Sequence, residues 1–438
     1  MILNRRSALA GAGGLITALA TGEAWAADGP RIRKAASSLT STSDDVVAFA
    51  DAVRIMKRRT GALSWDSQNR LHAERAEHGN WRFLPWHRLQ LAHMERIISQ
   101  VSGHRSFAMP YWDWQSDRFL PPWIVDTSSP LYEAQRDPAA ATLDFNKARF
   151  AESRNVARIS SDRFSSFCGR PNAAGRVESY GHNLIHMLVG GAEFGGYMSS
   201  TATAALDPIF WLHHCNVDRV WATWHAKNGD NAYSQPWKDT SMSGFTGADG
   251  RPTGRWTASR ITTTRQLGYS YDSLYPSLVF AVGPGMRPEV VKATSEFQAL
   301  TTTPRDDGSI RLELPPGMVA TLRNARGRVT IEGEGVVAYE RSQNLTGRGL
   351  QTGLYAGKGR VEMGVSPTFV HFGGEHAAHA DYAHVFTLDN SLVQLAQATQ
   401  GPVEIVTTAL DLRPAEGRPP ARAVSLEATL TMTEYEPA

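Results

Sequence analysis

The sequence predicts an α+β, multidomain protein, with a mainly α-helical four-helix-bundle domain followed by a C-terminal antiparallel β-sandwich domain. Three observations predict it. Before about residue 275, apolar residues recur at helical spacing in four segments. After about residue 285 the pattern becomes short period-two runs separated by Gly and Pro turns. The composition changes at the same place: ten of the 14 histidines lie between His72 and His225, and none of the 12 tryptophans falls after Trp256. The expected division is therefore a signal over residues 1–26, a helical domain over 27–285 and a β-sandwich over 286–438. Residues 281–308 read as the linker.

The N-terminus reads as an address. Asn4-Arg5-Arg6-Ser7 opens on a twin arginine, an apolar run follows to about Ala20, and Ala24-Trp25-Ala26 offers a small-x-small cleavage site. These are the parts of a twin-arginine export signal, which implies a periplasmic or secreted product. The apolar run is too short for a permanent membrane anchor.

The helical elements follow in order. Residues 43–61 begin with Ser43-Asp44-Asp45, a helix start, and carry apolar positions at helical spacing. Residues 85–101 have Pro85 near their start and a face of Leu89, Leu91, Met94, Ile97 and Ile98, ending near Gly103. Residues 178–190 and 207–226 are the third and fourth, the latter opening on Asp207-Pro208. Helices with inward polar residues make a bundle with a site in its core. The β elements are centred on Ser309–Leu314, Val329–Glu332, Val403–Val406 and Val424–Met432.

Charge and composition narrow the chemistry. The 45 basic and 43 acidic residues give a net charge of +2, which argues against a nucleic-acid binder. Two cysteines exclude a disulfide scaffold or a multi-thiolate metal site, leaving histidine and carboxylate as metal ligands.

Two histidine clusters stand out. His182 and His186 are spaced i, i+4, so on a helix both rings leave one face, and His214 from a second helix makes a third imidazole. His87 lies in the opening turn of a helix, with His78 and His72 expected in the loop before it. Three nitrogens with open positions suit a redox copper or a catalytic zinc, and two such sites facing each other suit a dinuclear centre. Asp218, one turn after His214, either approaches the site or braces the helix with Arg219.

At these residues the chain resembles a known family. Phe83-Leu84-Pro85-Trp86-His87-Arg88, with Glu95 eight residues after His87, resembles the first copper site of tyrosinases and polyphenol oxidases, the type-3 dicopper proteins. His182-x-x-x-His186 and Asp207-Pro208-Ile209-Phe210-Trp211-Leu212-His213-His214-x-x-x-Asp218-Arg219 resemble the second. Pro110-Tyr111-Trp112-Asp113-Trp114 and Tyr269-Ser270-Tyr271 are similar to two further family segments. The resemblance covers about residues 45–275. It is to bacterial members, with a C-terminal part placed as in the plant-type enzymes.

The resemblance implies two copper ions. His72, His78 and His87 become the ligands of copper A, and His182, His186 and His214 those of copper B. His213 takes a supporting place or substitutes for His214. The six-residue spacing of His72 and His78 is shorter than the family pattern and demands a tight turn. The implied reaction uses O2 to ortho-hydroxylate monophenols and to oxidise o-diphenols to o-quinones. A phenol has a pKa of about 10, so a base must take its proton. In the family a Glu and an Asn at the places of Glu178 and Asn183 hold a water for this; a helix-capping role for Glu178 is the plainer alternative. The expected partners are phenolic and catecholic small molecules and O2, with no nucleic acid and no stable membrane anchor.

Rival readings are a catechol or o-aminophenol oxidase without monophenolase activity, and a haemocyanin-like O2-binding protein. A zinc hydrolase is disfavoured because neither triad carries a HExxH-like base. Ala76 stands where some relatives carry a thioether cysteine. The small residues Ser199–Ala205 suggest an open entrance, which Tyr197, Met198 and Leu206 would narrow. Cys215 reads as a packing residue, with a Cys168–Cys215 pairing as the alternative. The run His371–His384 reads as a polar loop, with copper delivery or a lid as the alternative. Asn344-Leu345-Thr346 and Gly357-Lys358-Gly359 are given no role.

Overall fold

The computed structural model describes residues 31–148, 154–160, 163–191, 194–275, 289–302, 305, 309–327, 329–339, 348–356, 359–367, 381–388, 391–411 and 423–437. The signal segment, Asn344, Gly357-Lys358 and His371, His376 and His379 lie outside these residues.

Among the described residues, five helices of eight residues or more build the N-terminal part. α1 (Asp44–Met56) follows Ser43 in extended geometry and buries Val46, Phe49, Ala52, Val53 and Met56 along one stripe against α3. α2 (Trp65–Arg75) is capped by the Ser64 hydroxyl, which accepts from the Ser67 N–H. α3 (Phe83–Ser102) is buried over almost its whole length and stops at Gly103, whose φ of 78° suits only glycine well. α4 (Asn183–Gly190) continues from a π-helical segment, Val177–His182. α5 (Pro208–Asn228) starts with the Asp207 side chain accepting from the Ile209 N–H and with Pro208 at its first position. Arg136 forks onto the same Asp207 carboxylate, so the helix start is tied to the 136 loop.

Seven tryptophans, Trp65, Trp86, Trp112, Trp114, Trp211, Trp221 and Trp237, are buried in the core between these helices. That is why the tryptophans stop where the helical part stops. β1 (Arg31–Arg33) pairs in parallel with β2 (Tyr269–Tyr271), closing the two ends of this region on each other.

The C-terminal part holds two four-stranded antiparallel sheets. Its strands are β3 (Glu289–Thr302), β4 (Ser309–Glu313), β5 (Val329–Tyr339), β6 (Arg348–Ala356), β7 (Gly359–Pro367), β8 (Asp381–Leu388), β9 (Val403–Asp411) and β10 (Ala423–Pro437). One sheet runs β7-β6-β9-β4 and the other β8-β5-β10-β3. Ile310, Leu312, Val403 and Ile405 are buried in the first, and Val329, Ile331, Leu430 and Met432 in the second. β7 passes beside the segment 177–190 of the helical part.

Three expectations change. The expected linker 281–308 contains β3, whose pairing with β10 from Pro437↔Glu289 to Leu426↔Thr302 spans most of the domain in sequence and leaves no local trace. His72 sits in a helix, α2, rather than a loop. His384, expected in a loop, lies in β8 opposite Gly335.

Candidate metal centre

The first histidine group is assembled by two helices and a turn. His87 is carried by α3, and its Nδ1 lies 2.8 Å from the Phe83 carbonyl one turn earlier. A carbonyl can only accept, so Nδ1 holds the proton and Nε2 presents its lone pair inward. His72, on α2, is fixed the same way by the Thr201 carbonyl at 2.9 Å. His78 comes from the turn between the helices, where Gly79 adopts a φ of 68° and gives the tightness that the short spacing demands. The Gly79 N–H donates to Glu178 Oε1 at 2.7 Å, locking this turn to the segment that carries the other group. The three rings lie 4.9 to 5.5 Å apart, and one ligand atom from each falls within 4.8 Å of the others.

The second group has four members, His182, His186, His213 and His214, with ligand atoms again within 4.8 Å of one another. His186 Nδ1 donates to the Met198 carbonyl at 2.7 Å, and His182 Nδ1 to Asn183 Oδ1 at 2.8 Å. Both therefore present Nε2, the arrangement that outer partners impose on ligating imidazoles. His182 closes the π-helical segment Val177–His182. Such wider winding is rare and is found mostly at functional sites. Residues four apart fall short of a full turn in it, so Glu178 does not stack directly over His182. Met198 reaches His186 because residue 190 is glycine: a Cβ there would collide with the Ser199 backbone nitrogen.

The two groups meet. The His87 and His214 rings stack at 4.3 Å with planes 12° apart, and His78 and His182 lie 5.8 Å apart. Burial pushes His186 down to about 3 and His182, His213 and His214 well below the usual imidazole range, with neighbouring imidazoles adding to the effect on the last three. These rings are neutral at neutral pH, the state a metal ligand needs.

Burial raises the Glu178 carboxyl to about 8, with the Gly79 N–H working against the rise, and Glu178 Oε2 makes no hydrogen bond. A buried polar atom left over at a metal-type site calls for a water or ligand partner. The raised value has a consequence for stability. Between the ordinary 4.5 and about 8, the folded metal-free chain holds a proton that the unfolded chain has lost. Stability is therefore lost as pH rises through that window. Glu178→Gln cannot ionise yet still accepts from Gly79, so its melting temperature is expected to fall less than the wild type's between pH 5 and pH 8. Parallel profiles for the two proteins would show that Glu178 ionises normally.

Asp218 does not reach the histidines. It accepts from Arg88, Arg33, Tyr269 and Tyr271, while Arg219 pairs instead with Asp113 and the Ser273 carbonyl. The segment expected as an open entrance is packed: Met198, Ser199, Thr201, Ala204 and Ala205 are buried. Its small residues allow a close approach that brings the Met198 and Thr201 carbonyls onto His186 and His72. Neither of these brackets was visible in the sequence, whereas the Phe83 bracket follows from i, i+4 spacing. Cys168 and Cys215 are both free and buried, and Cys168 Sγ donates to the Trp81 carbonyl.

A family model described as the common central domain of tyrosinase matches residues 56–144 and 118–227. Residues 56–227 belong to the tyrosinase family. The chain is 30% identical over 256 residues to a tyrosinase of Hahella sp. (strain CCB-MM4), covering 50% of this chain and 53% of that protein. It thus spans about half the length of that relative. Among solved structures, latent apple tyrosinase matches with a TM-score of 0.65 at 18% identity, over 93% of this chain and 97% of that one. A functional unit of octopus hemocyanin matches with a TM-score of 0.55, also at 18% identity, over 90% and 99%. Both are likenesses of fold, and a fold shared by the two does not select an activity. Tyrosinase-family proteins are dicopper oxidases and monooxygenases, and the thiolate-free imidazole sets found here fit a pair of copper ions. No helix among the described residues is long and apolar enough to cross a membrane.

Proposed function

We propose that the chain is an exported copper-dependent phenol oxidase that ortho-hydroxylates monophenols and oxidises o-diphenols to o-quinones with O2. The stacking of His87 on His214, where the two histidine groups meet, carries this reading, because it brings into contact two imidazole sets that would each hold one ion. His72, His78 and His87 hold copper A; His182, His186 and His214 hold copper B. When bound, the copper pair supplies the activation of O2 and the electron acceptance. The chain does the rest. The carbonyls of Phe83, Thr201 and Met198 and the Asn183 amide oxygen keep the ligand tautomers fixed. Glu178 Oε2 and the Asn183 amide hold a water that takes the phenol proton, a step that needs a base because the phenol pKa is about 10. Burial of the site keeps bulk water from the reacting centre.

The domain division 27–285 and 286–438 and a sandwich arrangement of the two C-terminal sheets belong to the same proposal. The β7 strand beside residues 177–190 supports a covering role for that domain. The twin arginine and Ala24-Trp25-Ala26 support export by the twin-arginine route, to the periplasm or beyond.

The test loads the purified full chain with copper and supplies monophenols and, separately, catechols. Quinone is expected from both. Quinone from catechol alone would reduce the reading to a catechol oxidase, and reversible O2 binding with no turnover would make the chain a haemocyanin-like O2 carrier. Glu178→Gln is expected to lower monophenol turnover by about 10²-fold or more, the scale of a lost general base, with a much smaller loss on catechol. Equal losses on the two substrates would remove Glu178 from proton transfer.

A further inference from the structure

Five of the six histidines assigned to copper are buried in helical segments, but His78 stands in the turn between α2 and α3 and is partly exposed. A connecting segment is more mobile than the helices it joins, so the direction of the His78 ring depends on what grips the turn. The turn is gripped at two places. At Gly79 the backbone N–H donates to Glu178 Oε1 at 2.7 Å. At Trp81 both backbone groups are taken. Its N–H donates to the Arg170 carbonyl at 2.8 Å, and its carbonyl accepts from Trp237 Nε1 at 2.9 Å and from Cys168 Sγ at 3.2 Å. A carbonyl oxygen has two lone pairs, so this one is saturated.

The groups that hold Trp81 form one packed unit. Cys168 ends a short helix, Phe164–Cys168, and Arg170 follows two residues later. Phe164, at the start of that helix, meets the Trp237 ring edge-on at 4.8 Å. The Trp237 indole is fully buried and stacks on Tyr233 at 4.7 Å with planes 16° apart, while Trp221 meets it at 6.0 Å and 90°. Tyr233 is fixed in turn by Trp221, whose Nε1 donates to the Tyr233 hydroxyl at 3.0 Å. The indole is thus locked by rings on several sides with its N–H aimed at Trp81. A phenyl ring would fill much of the same slot, so what the indole adds is a donor directed at the turn that carries His78.

We propose that Trp237 is a positioning residue for His78. With Cys168 it holds the Trp81 carbonyl, and the turn held at 79 and 81 fixes the bearing of the His78 ring toward His72 and His87, at 5.3 and 4.9 Å. Neither Trp237 nor Cys168 is a ligand; each acts through the turn. This inference rests on the two-copper reading of the site, and its test separates the two.

The experiment challenges copper-loaded full chain with a copper chelator and follows the copper remaining per chain against time. Wild type holding a single ion before the challenge would reject the two-copper reading, and the proposal with it. Trp237→Phe keeps an aromatic ring and removes the N–H. One of its two ions is expected to leave about ten-fold faster than in wild type, the lower end of what outer partners of a metal ligand contribute. The other ion is expected to keep its wild-type rate, which a general loosening of the fold would not allow. Cys168→Ala leaves the ring stack in place and is expected to speed release of the same ion by less, whereas Cys168→Ser still donates and is expected to restore the wild-type rate. His78→Ala supplies the deciding background: the ion it retains is expected to leave at one rate with or without the Trp237→Phe change. Faster loss of both ions from Trp237→Phe, wild-type release from both Trp237→Phe and Cys168→Ala, or a further acceleration in the His78→Ala background would overturn the proposal. If Trp237→Phe does not fold, equal rates for Cys168→Ala and Cys168→Ser would overturn it.

Discussion

His87→Ala is expected to reduce the copper-loaded chain from a pair of ions to one and to bring phenol and catechol oxidation down to the background rate. The expectation follows from the inequality of the two histidine groups. The second group has four imidazoles within reach of one ion, but among the described residues the first has three, His72, His78 and His87. Removing His87 leaves copper A with two, and one of these, His78, comes from a partly exposed turn. His87 is also the ring that stacks on His214, so its loss removes the contact between the groups as well as a ligand. Copper analysis with quinone assays decides it. Two retained ions and turnover within ten-fold of wild type would mean that His87 is not a ligand. A far-ultraviolet spectrum and melting curve like those of wild type would exclude unfolding as the cause.

The sequence made the candidate ligand residues visible and much of their support invisible, for physical reasons. His182, His186 and His214 were legible because helix periodicity places i, i+4 residues on one face and the Asp207-Pro208 start fixes the phase of α5. His72 was assigned to a loop because α2 buries only Trp65, Gln68 and His72, too thin and polar a stripe to register as amphipathic. The π-winding before His182 has no compositional mark. The carbonyls of Met198 and Thr201 are brought to His186 and His72 by tertiary packing across at least a dozen residues, and backbone groups carry no residue code. The same holds for β3: its place beside β10 is a long-range pairing, and a polar strand read alone looks like a linker. Four strands, β3 and β6 to β8, were missed for this reason. Asp218 was legible as important but not in its role, because its partners Arg33, Arg88, Tyr269 and Tyr271 come from three separate elements, β1, α3 and β2.

That role leads to the second large effect, on the fold rather than the chemistry. Burial alone would raise the Asp218 carboxyl, but Arg88 and Arg33 beside it and the two tyrosine hydroxyls hold it below the usual carboxylate range. A depressed carboxyl contributes stability above its unfolded pKa of about 3.9 and loses it as pH falls through the folded value, so this cluster is intact at neutral pH. The guanidinium groups are buried, Arg33 stacking over Tyr269 at 3.7 Å and Arg88 over Trp221 at 3.5 Å. Asp218→Asn keeps the shape and removes the charge. Arg33 still has Glu95, but Arg88 is left with neutral carbonyls, those of Ile261, Thr262 and the backbone of residue 218. Breaking one side of a buried ion pair costs about 3–5 kcal/mol. In a helical domain of this size that corresponds to a melting point lower by roughly 10 °C. The variant is expected to show this loss in the metal-free state at pH 7 and to approach the wild type in acid, where Asp218 is protonated in both folded and unfolded chains. A loss that stays constant down to low pH would assign the cost to hydrogen-bond geometry instead of charge. A shift under about 2 °C at pH 7 would mean that the arginines find water, and that α3 and α5, the carriers of His87 and His214, are held together by packing alone.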